Sequence, residues 1–414
     1  MIIAVDLRCL NYPVYTGVNV YVLHLLDVLK NLKNNQKNLE FVAIGIKKER
    51  IGGLEKEFPF LKNLFTSKIS LSEYLNYPKW FRNYKILNLW LLIRLKLTKN
   101  IFSQTIQCFD YLILPQPKPV LMNKKTKLIS VFHDLFAALD RSGLSFSQKF
   151  LEDSEIYKQL CNTSSVILVN SISTGEDLKN FLLKEGPKNQ IQEYGLGSSK
   201  SLKTVSKIKL VYPSLPNISS FRGDSEFLSS KSENLPKDNY YLAISGIEHR
   251  KNWHNLLLAH RFLQVNYPDF SLKLILAGTI VNLNYYKELV HLIEKYSIKN
   301  VIWFLKPNDR TKNDLIQNCL FLVYPSFYEG FGFPILEALE KDKAVVTSRI
   351  SSMPEIAKDS AIYINPFNLK DLATGVYLLF KDKNFRLKLE SNSKKNLNNF
   401  SWKEMYEFFE KTFK

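Results

Sequence analysis

The chain has 414 residues, 45% hydrophobic and 23% charged, which is too long for one small domain and too apolar for a largely disordered chain. Its 15 Gly and 16 Pro fall without period and exclude a collagen-like chain, and four scattered cysteines (Cys9, Cys108, Cys161, Cys319) exclude a zinc ribbon or disulfide scaffold and fit a reducing compartment. The net charge is +18, of which +13 sits in residues 1–212 (30 basic, 17 acidic), an excess that either favours anionic partners or reflects a Lys-rich composition bias.

The opening MIIAVDLRCL lacks the basic stretch and long apolar core of a signal peptide and reads as a first strand. No apolar run reaches the length of a spanning helix, so the expected location is cytoplasmic, either free or on a membrane surface. Residues 1–7, 41–46, 127–134 and 164–171 read as buried parallel strands, with helices over 18–32 and 145–161. The polar, Ser-rich stretch 216–237 reads as a linker. The alternation then restarts, with strands at 240–246, 272–278, 300–305, 321–326 and 344–348 and helices at 252–266, 284–296 and 334–341. This predicts an α/β protein of two doubly wound domains, residues 1–215 and 238–399, with residues 400–414 as a C-terminal helix returning to the first domain. In such sheets the ligand crevice lies beyond the carboxyl ends of the strands.

Two segments after strands carry the chemistry. In YPSFYEGFGFPILE (324–337), Gly330 and Gly332 let the backbone approach a ligand, and the N–H groups around Phe331 can donate to hydroxyls or phosphate. Pro334 marks a helix start, and Glu337 is expected on that helix's first turn, pointing into the same crevice as Glu329. Two such carboxylates suit vicinal hydroxyls of a sugar or ribose, although glutamates near a helix start also simply complement the dipole. Behind the strand at 240–246, Gly246 precedes Arg250-Lys251-Asn252. A guanidinium fork and an ammonium beside a helix N-terminus suit a pyrophosphate.

The segment 324–356, with Glu329 and Glu337 in an EGFGFP-x-LEAL context followed by Pro354-Glu355, resembles the donor-site signature of glycosyltransferase family four. The resemblance extends over nearly the whole chain and is weakest at residues 50–125. It implies the GT-B fold, two facing Rossmann-like domains with a cleft between them. It further implies transfer of a hexose from a nucleoside diphosphate sugar (GDP-mannose or UDP-hexose type) to a saccharide or lipid-linked acceptor, with retention. Such chemistry serves surface polysaccharide or glycolipid biosynthesis and needs no metal or other cofactor. Gly246 to Asn252 resembles the family's G-x-x-x-R-K-N motif, whose Arg and Lys, here Arg250 and Lys251, hold the diphosphate. Gly17, after the first strand, is similar to its glycine loop, and His133 of His133-Asp134 matches the histidine near the donor sugar. The implied roles are ribose contact for Glu337, and donor-sugar contact for Glu329 with the Gly330–Gly332 amides. The chain departs from the pattern at Lys358-Asp359-Ser360, where Gly-Asp-Ala is usual, and at Lys341-Asp342-Lys343, where a small glycine turn is common.

A nucleotide-sugar 2-epimerase of the same fold, a basic nucleic-acid-binding protein and an inactive relative are the competing readings. The absence of D-x-D, of a P-loop and of a G-x-S-x-G elbow disfavours metal-dependent transfer, ATP hydrolysis and serine hydrolase chemistry. Residues 76–99 combine six basic side chains and no acid with aromatic residues, the composition of an interfacial helix on anionic lipid. Lys79, Trp80, Phe81, Arg82, Lys85 and Trp90 are the expected membrane contacts.

Overall fold

The computed structural model describes residues 1–11, 17–46, 58–63, 109–118, 125–136, 149–183, 199–215, 235–236 and 239–414. They belong to two compact units: residues 1–170, 174–221 and 402–414 form one, and 171–173 with 222–401 the other.

The first unit opens with β1 (Ile2–Asp6), α1 (Gly17–Asn35), β2 (Glu40–Ile44), β3 (Leu61–Asn63), β4 (Tyr111–Leu114) and β5 (Lys127–Phe132). It continues with α2 (Lys149–Thr163), β6 (Val166–Val169), α3 (Ile172–Leu183), α4 (Ser199–Val205) and β7 (Ile208–Leu210). The described strands form one sheet in the order β3-β2-β1-β4-β5-β6-β7, every pairing parallel. Continuous apolar runs such as YLIL in β4, buried at every residue, are what a sheet covered on both faces requires. β4 lies between β1 and β5, yet its four residues sit in a segment of weak periodicity. Sequence reading therefore misses it, together with the three-residue β3 and β7.

In the second unit the alternation is β8 (Tyr240–Ile244), α5 (Trp253–Asn266), β9 (Lys273–Gly278), α6 (Leu283–Lys295), β10 (Val301–Leu305), α7 (Asp309–Asn318), β11 (Leu322–Tyr324) and α8 (Phe333–Glu340). Then come β12 (Val345–Ser348), α9 (Met353–Ala357), β13 (Ala361–Ile364), α10 (Leu369–Lys381), α11 (Lys383–Ser391) and α12 (Ser393–Leu397). Its sheet, β10-β9-β8-β11-β12-β13, is again parallel throughout. The order reverses at β8, so the loops after β8 and β11 flank the switch point where ligands bind in open α/β sheets. The unit's core gathers Trp253, Leu256 and Leu263 of α5 with Leu274 and Leu276 of β9 and Leu372, Val376 and Leu379 of α10. Periodicity misses α7 because only Thr311, Leu315 and Ile316 of its ten residues are buried. Its start is legible in the cap instead, where the Asn308 side chain accepts from the Thr311 N–H at 2.8 Å.

The last helix, α13 (Trp402–Thr412), belongs to the first unit. Tyr111 of β4 donates its hydroxyl to the Thr412 carbonyl at 3.0 Å, and the Phe413 ring meets those of Tyr111 and Phe41 edge-on. Among the described residues no helix is long and apolar enough to cross a membrane.

Strands β8 and β9 run so close at their carboxyl ends that a Cβ on Gly278 would lie 1.7 Å from the Ser245 carbonyl oxygen. Backbone cannot yield as a flexible side chain can. Gly278→Ala should destabilise the second unit by about 3 kcal/mol or more. Urea unfolding followed by tryptophan fluorescence checks this, and an unchanged midpoint would refute it.

Candidate active site

The site is built first by the turn behind β8. A short 3₁₀ turn, His249–Lys251, ends at Asn252, whose backbone is left-handed (φ 60°) and whose side chain is fully buried. The Asn252 amide donates to the carbonyls of Pro325 (3.0 Å) and Pro366 (2.9 Å), tying the end of β8 to the loops after β11 and β13. Asparagine is the side chain that both tolerates a left-handed backbone and supplies those two donors. It thereby fixes where Arg250 and Lys251 point.

Both cations converge on Glu329. Lys251 Nζ donates to its Oε1 at 2.6 Å and Arg250 Nη1 to its Oε2 at 3.0 Å. Arg250 also donates from Nη1 to the Tyr328 carbonyl (3.1 Å) and from Nη2 to Glu248 Oε1 (2.9 Å). Lys251 reaches the Tyr324 hydroxyl at 3.2 Å with its ammonium over that ring, so two of its three N–H donors are accounted for. The Glu329 and Lys251 side chains are only 7% and 9% exposed, so the pair is a desolvated one. Burial by itself would raise the Glu329 carboxyl. Lys251, then Arg250, override it and hold the carboxyl at about 2. Burial, with Arg250 beside it, lowers the Lys251 ammonium against the opposing pull of Glu329.

The loop carrying Glu329 is held by its backbone. The Phe327 N–H donates to the Arg250 carbonyl at 2.9 Å. Thr347 and Ser348 of β12 donate to the carbonyls of Tyr324 (2.8 Å) and Ser326 (2.7 Å). Beyond β12, the Ser351 hydroxyl accepts from the Glu329 N–H at 3.1 Å, and the Ser352 hydroxyl donates to the carbonyls of Glu329 (3.0 Å) and Phe331 (2.7 Å). Gly332 caps α8 with φ at +114°, a conformation L side chains rarely adopt, which turns the chain from loop into helix. The Phe331 ring packs against Phe333 and Phe400, so only its main chain is left to meet a ligand. A Cβ on Gly246 would lie 2.8 Å from Val281 Cγ2, so packing against the loop after β9 already accounts for that glycine.

Glu337 departs from expectation. It lies on the second turn of α8, not the first, because the helix begins at Phe333. Its carboxylate does not join Glu329 but forms an ion pair, through Oε1, with Lys312 of α7. Oε2 is buried without a hydrogen-bond partner. Burial raises the Glu337 carboxyl above its ordinary value, against the pull of Lys312. Lys312, Tyr324, Glu248 and Asn252 are thus members of the site that sequence reading leaves without a role. Asn252 is legible as the third residue of the Arg250-Lys251-Asn252 turn, whereas nothing in one sequence pairs Lys312 with Glu337.

In the first unit, His133 follows β5 and is half-buried. Its Nε2 lies 2.6 Å from the Pro115 carbonyl and must therefore donate, leaving Nδ1 to accept from the Asn170 amide at 3.5 Å. Burial lowers its pKa, which favours the neutral ring, and Tyr21 stands edge-on at 4.8 Å. Gly17 is the exposed first residue of α1. Lys79, Trp80, Phe81, Arg82, Lys85 and Trp90 lie outside the described residues. Among the described residues no group of three or more His, Cys, Asp or Glu is arranged to hold a metal ion.

Residues 224–396, the greater part of the second unit, match the family described as Glycosyl transferases group 1. Over 173 residues the chain is 31% identical to O-antigen chain mannosyltransferase B of Escherichia coli, covering 39% of this chain and 42% of that protein. O-antigen chain mannosyltransferase RfbU of Salmonella typhimurium is 26% identical over 171 residues, 41% of this chain and 43% of its own length. These matches therefore span less than half of each relative. Whole-chain likeness appears in solved structures. Anabaena HepE in complex with UDP and glucose covers 100% of this chain at TM-score 0.65 and 15% identity, with 99% of HepE matched. Sucrose-phosphate synthase from Thermosynechococcus elongatus gives 0.65 at 13%, covering 100% of this chain and 98% of that one. The fold is GT-B, two parallel-sheet α/β units.

Because the Glu329 carboxyl is depressed from 4.5 to about 2 in the folded chain, its contribution to stability is complete above pH 4.5 and lost as pH falls through 2. Wild type should exceed Glu329→Gln in unfolding free energy at neutral pH, and the gap should close by up to about 3 kcal/mol between pH 5 and 2. Urea titrations at stepped pH measure it, and a gap independent of pH would mean that the cations do not hold this carboxylate.

Proposed function

We propose that the protein is a glycosyltransferase that moves a hexose from a nucleoside diphosphate sugar to a hydroxyl of a saccharide or lipid-linked saccharide, with retention of anomeric configuration. The observation that carries the reading is the buried Arg250–Lys251–Glu329 cluster behind β8 and β11, in a segment whose sequence matches Glycosyl transferases group 1. Arg250 and Lys251 hold the diphosphate. As the bond from the anomeric carbon to the diphosphate oxygen breaks, the leaving group keeps the electron pair, and the two cations stabilise the growing charge. The acceptor oxygen bonds to the same face of that carbon, and its proton passes to the departing phosphate oxygen. Glu329 keeps both cations oriented and, with the amides of Gly330 to Gly332, meets the donor sugar. Glu337 meets the ribose, and the Nδ1 edge of His133, 3.5 Å from the Asn170 amide, meets a sugar hydroxyl. The O-antigen mannosyltransferases among the relatives favour a mannose donor and a surface polysaccharide product, while the UDP in the HepE complex keeps UDP-hexoses in view. The mechanism needs neither metal nor cofactor.

A thermal-shift panel of nucleotide sugars tests the reading, since a ligand at about a hundred times its Kd adds about 2.7 kcal/mol to apparent stability. GDP-mannose or a UDP-hexose should raise Tm by about 3 °C, at roughly 1 °C per kcal/mol for a chain of this length. The Arg250→Ala/Lys251→Ala variant should lose both the shift and turnover. Near-normal turnover in that variant would remove the diphosphate assignment.

We further propose that residues 76–99 bring the enzyme to an anionic membrane carrying the acceptor. Each Lys or Arg near such a surface contributes about 1 kcal/mol, screened within a Debye length. Co-sedimentation with anionic vesicles should fall with added salt and on changing Lys79, Arg82 and Lys85 to Glu. A wild-type chain that ignores such vesicles at low salt would exclude the contact.

A further inference from the structure

The two carboxylates of the site are held in different ways. Both oxygens of Glu329 are taken by cations, at 2.6 and 3.0 Å. Glu337 has one oxygen engaged, by Lys312, and the other buried with no hydrogen-bond partner among the described residues. The side chains of Lys312 and Glu337 are only 23% and 12% exposed. A buried carboxylate oxygen without a donor is costly, and such atoms are rare in folded proteins unless a ligand or water completes them.

Lys312 is itself firmly placed. The Asn308 side chain caps α7 by accepting from Thr311 N–H at 2.8 Å, and the Lys312 N–H closes the first turn on the Asn308 carbonyl at 2.8 Å. α7 packs on α8, so the Lys312 ammonium reaches Glu337 from the neighbouring helix. The acids Asp309 on α7 and Glu340 on α8 act on the same carboxylate with the opposite sign, so without Lys312 its charge would have only like-charged neighbours of note.

We infer that Lys312 is a positioning residue of the nucleotide site: by occupying Oε1 it fixes the rotamer of Glu337 and leaves Oε2 as the atom that accepts a ribose hydroxyl of the bound nucleotide. The inference rests on the nucleotide-sugar reading above and adds a residue to it. Lys312 touches no ligand and acts only through Glu337. It should govern how well the site tells a ribonucleotide from its deoxy form, since that difference is one hydroxyl, whereas a merely structural lysine would weaken both forms alike.

The test is isothermal titration of the full chain with UDP, GDP and their 2′-deoxy and 3′-deoxy forms. Wild type should prefer a ribonucleotide over at least one deoxy form by roughly tenfold or more, the scale of a hydrogen bond to a charged group. Lys312→Met should bring that preference to within about twofold, and Lys312→Arg should restore most of it. The double variant Lys312→Met/Glu337→Gln leaves no unpaired buried charge, so it remains informative if Lys312→Met alone does not fold. It should lose the preference as Glu337→Gln does, with no further loss, as expected for two residues acting as one unit. Lys312→Met or the double variant keeping the wild-type preference, or a wild type without any preference, would overturn the inference. Failure of the wild type to bind any of these nucleotides would overturn the nucleotide-sugar reading itself.

Discussion

Glu329 is a carboxylate with almost no access to water, and the organisation of the second unit's site follows from keeping it charged. Removing a carboxylate from water costs several kcal/mol, which a lone buried Glu avoids by taking up a proton. Here an ammonium and a guanidinium from one turn converge on its two oxygens. The arrangement works only if that turn and the Glu329 loop are held in register. Asn252 does this from one side, and the hydroxyls of Thr347, Ser348, Ser351 and Ser352 from the other. The cations are thus oriented before any anion arrives, which is what electrostatic catalysis requires of donors that must not reorganise during the reaction.

The same logic makes the cluster poised rather than inert. Arg250 divides its bonds among Glu329, Glu248 and a main-chain carbonyl, and Lys251 has one N–H beyond the two it uses for Glu329 and Tyr324. The cations stand fixed in the loop that follows β8, where they meet Glu329 of the loop after β11. Glu337 offers the contrast, with a single cation and one oxygen left over. Glu329 has a cation on each oxygen, whereas Glu337 has a cation on one oxygen alone.

Two turns of the second unit carry side chains on backbone that favours glycine. Lys358 and Asp342 both have positive φ, 43° and 51°, a region glycine adopts without strain. Side chains there cost about 1 kcal/mol or more relative to glycine. At Lys358 a partial offset is visible, its ammonium lying over the Phe400 ring at 5.6 Å from the centroid. Both turns lie at the ends of short helices, α9 and α8.

The sequence by itself determined the two parallel-sheet units, because strands buried on both faces must be continuous apolar runs and the helices between them must be amphipathic. It also marked Arg250, Lys251 and Glu329, since charged residues in the loops after buried strands stand at the one edge of the sheet where a ligand can reach them, and Glu337 by its spacing from Glu329. Elements too short or too polar to show a period were invisible to it: β4, although central in its sheet, and α7, buried at only three positions. Only the tertiary structure decided which charges meet. Ion pairing depends on distances between residues 78 and 79 apart, as in Lys251 and Arg250 with Glu329, and 25 apart, as in Lys312 with Glu337. No local pattern encodes such separations. The sequence made Glu329 and Glu337 look like a matched pair, and the packing of α7 against α8 gave them different partners.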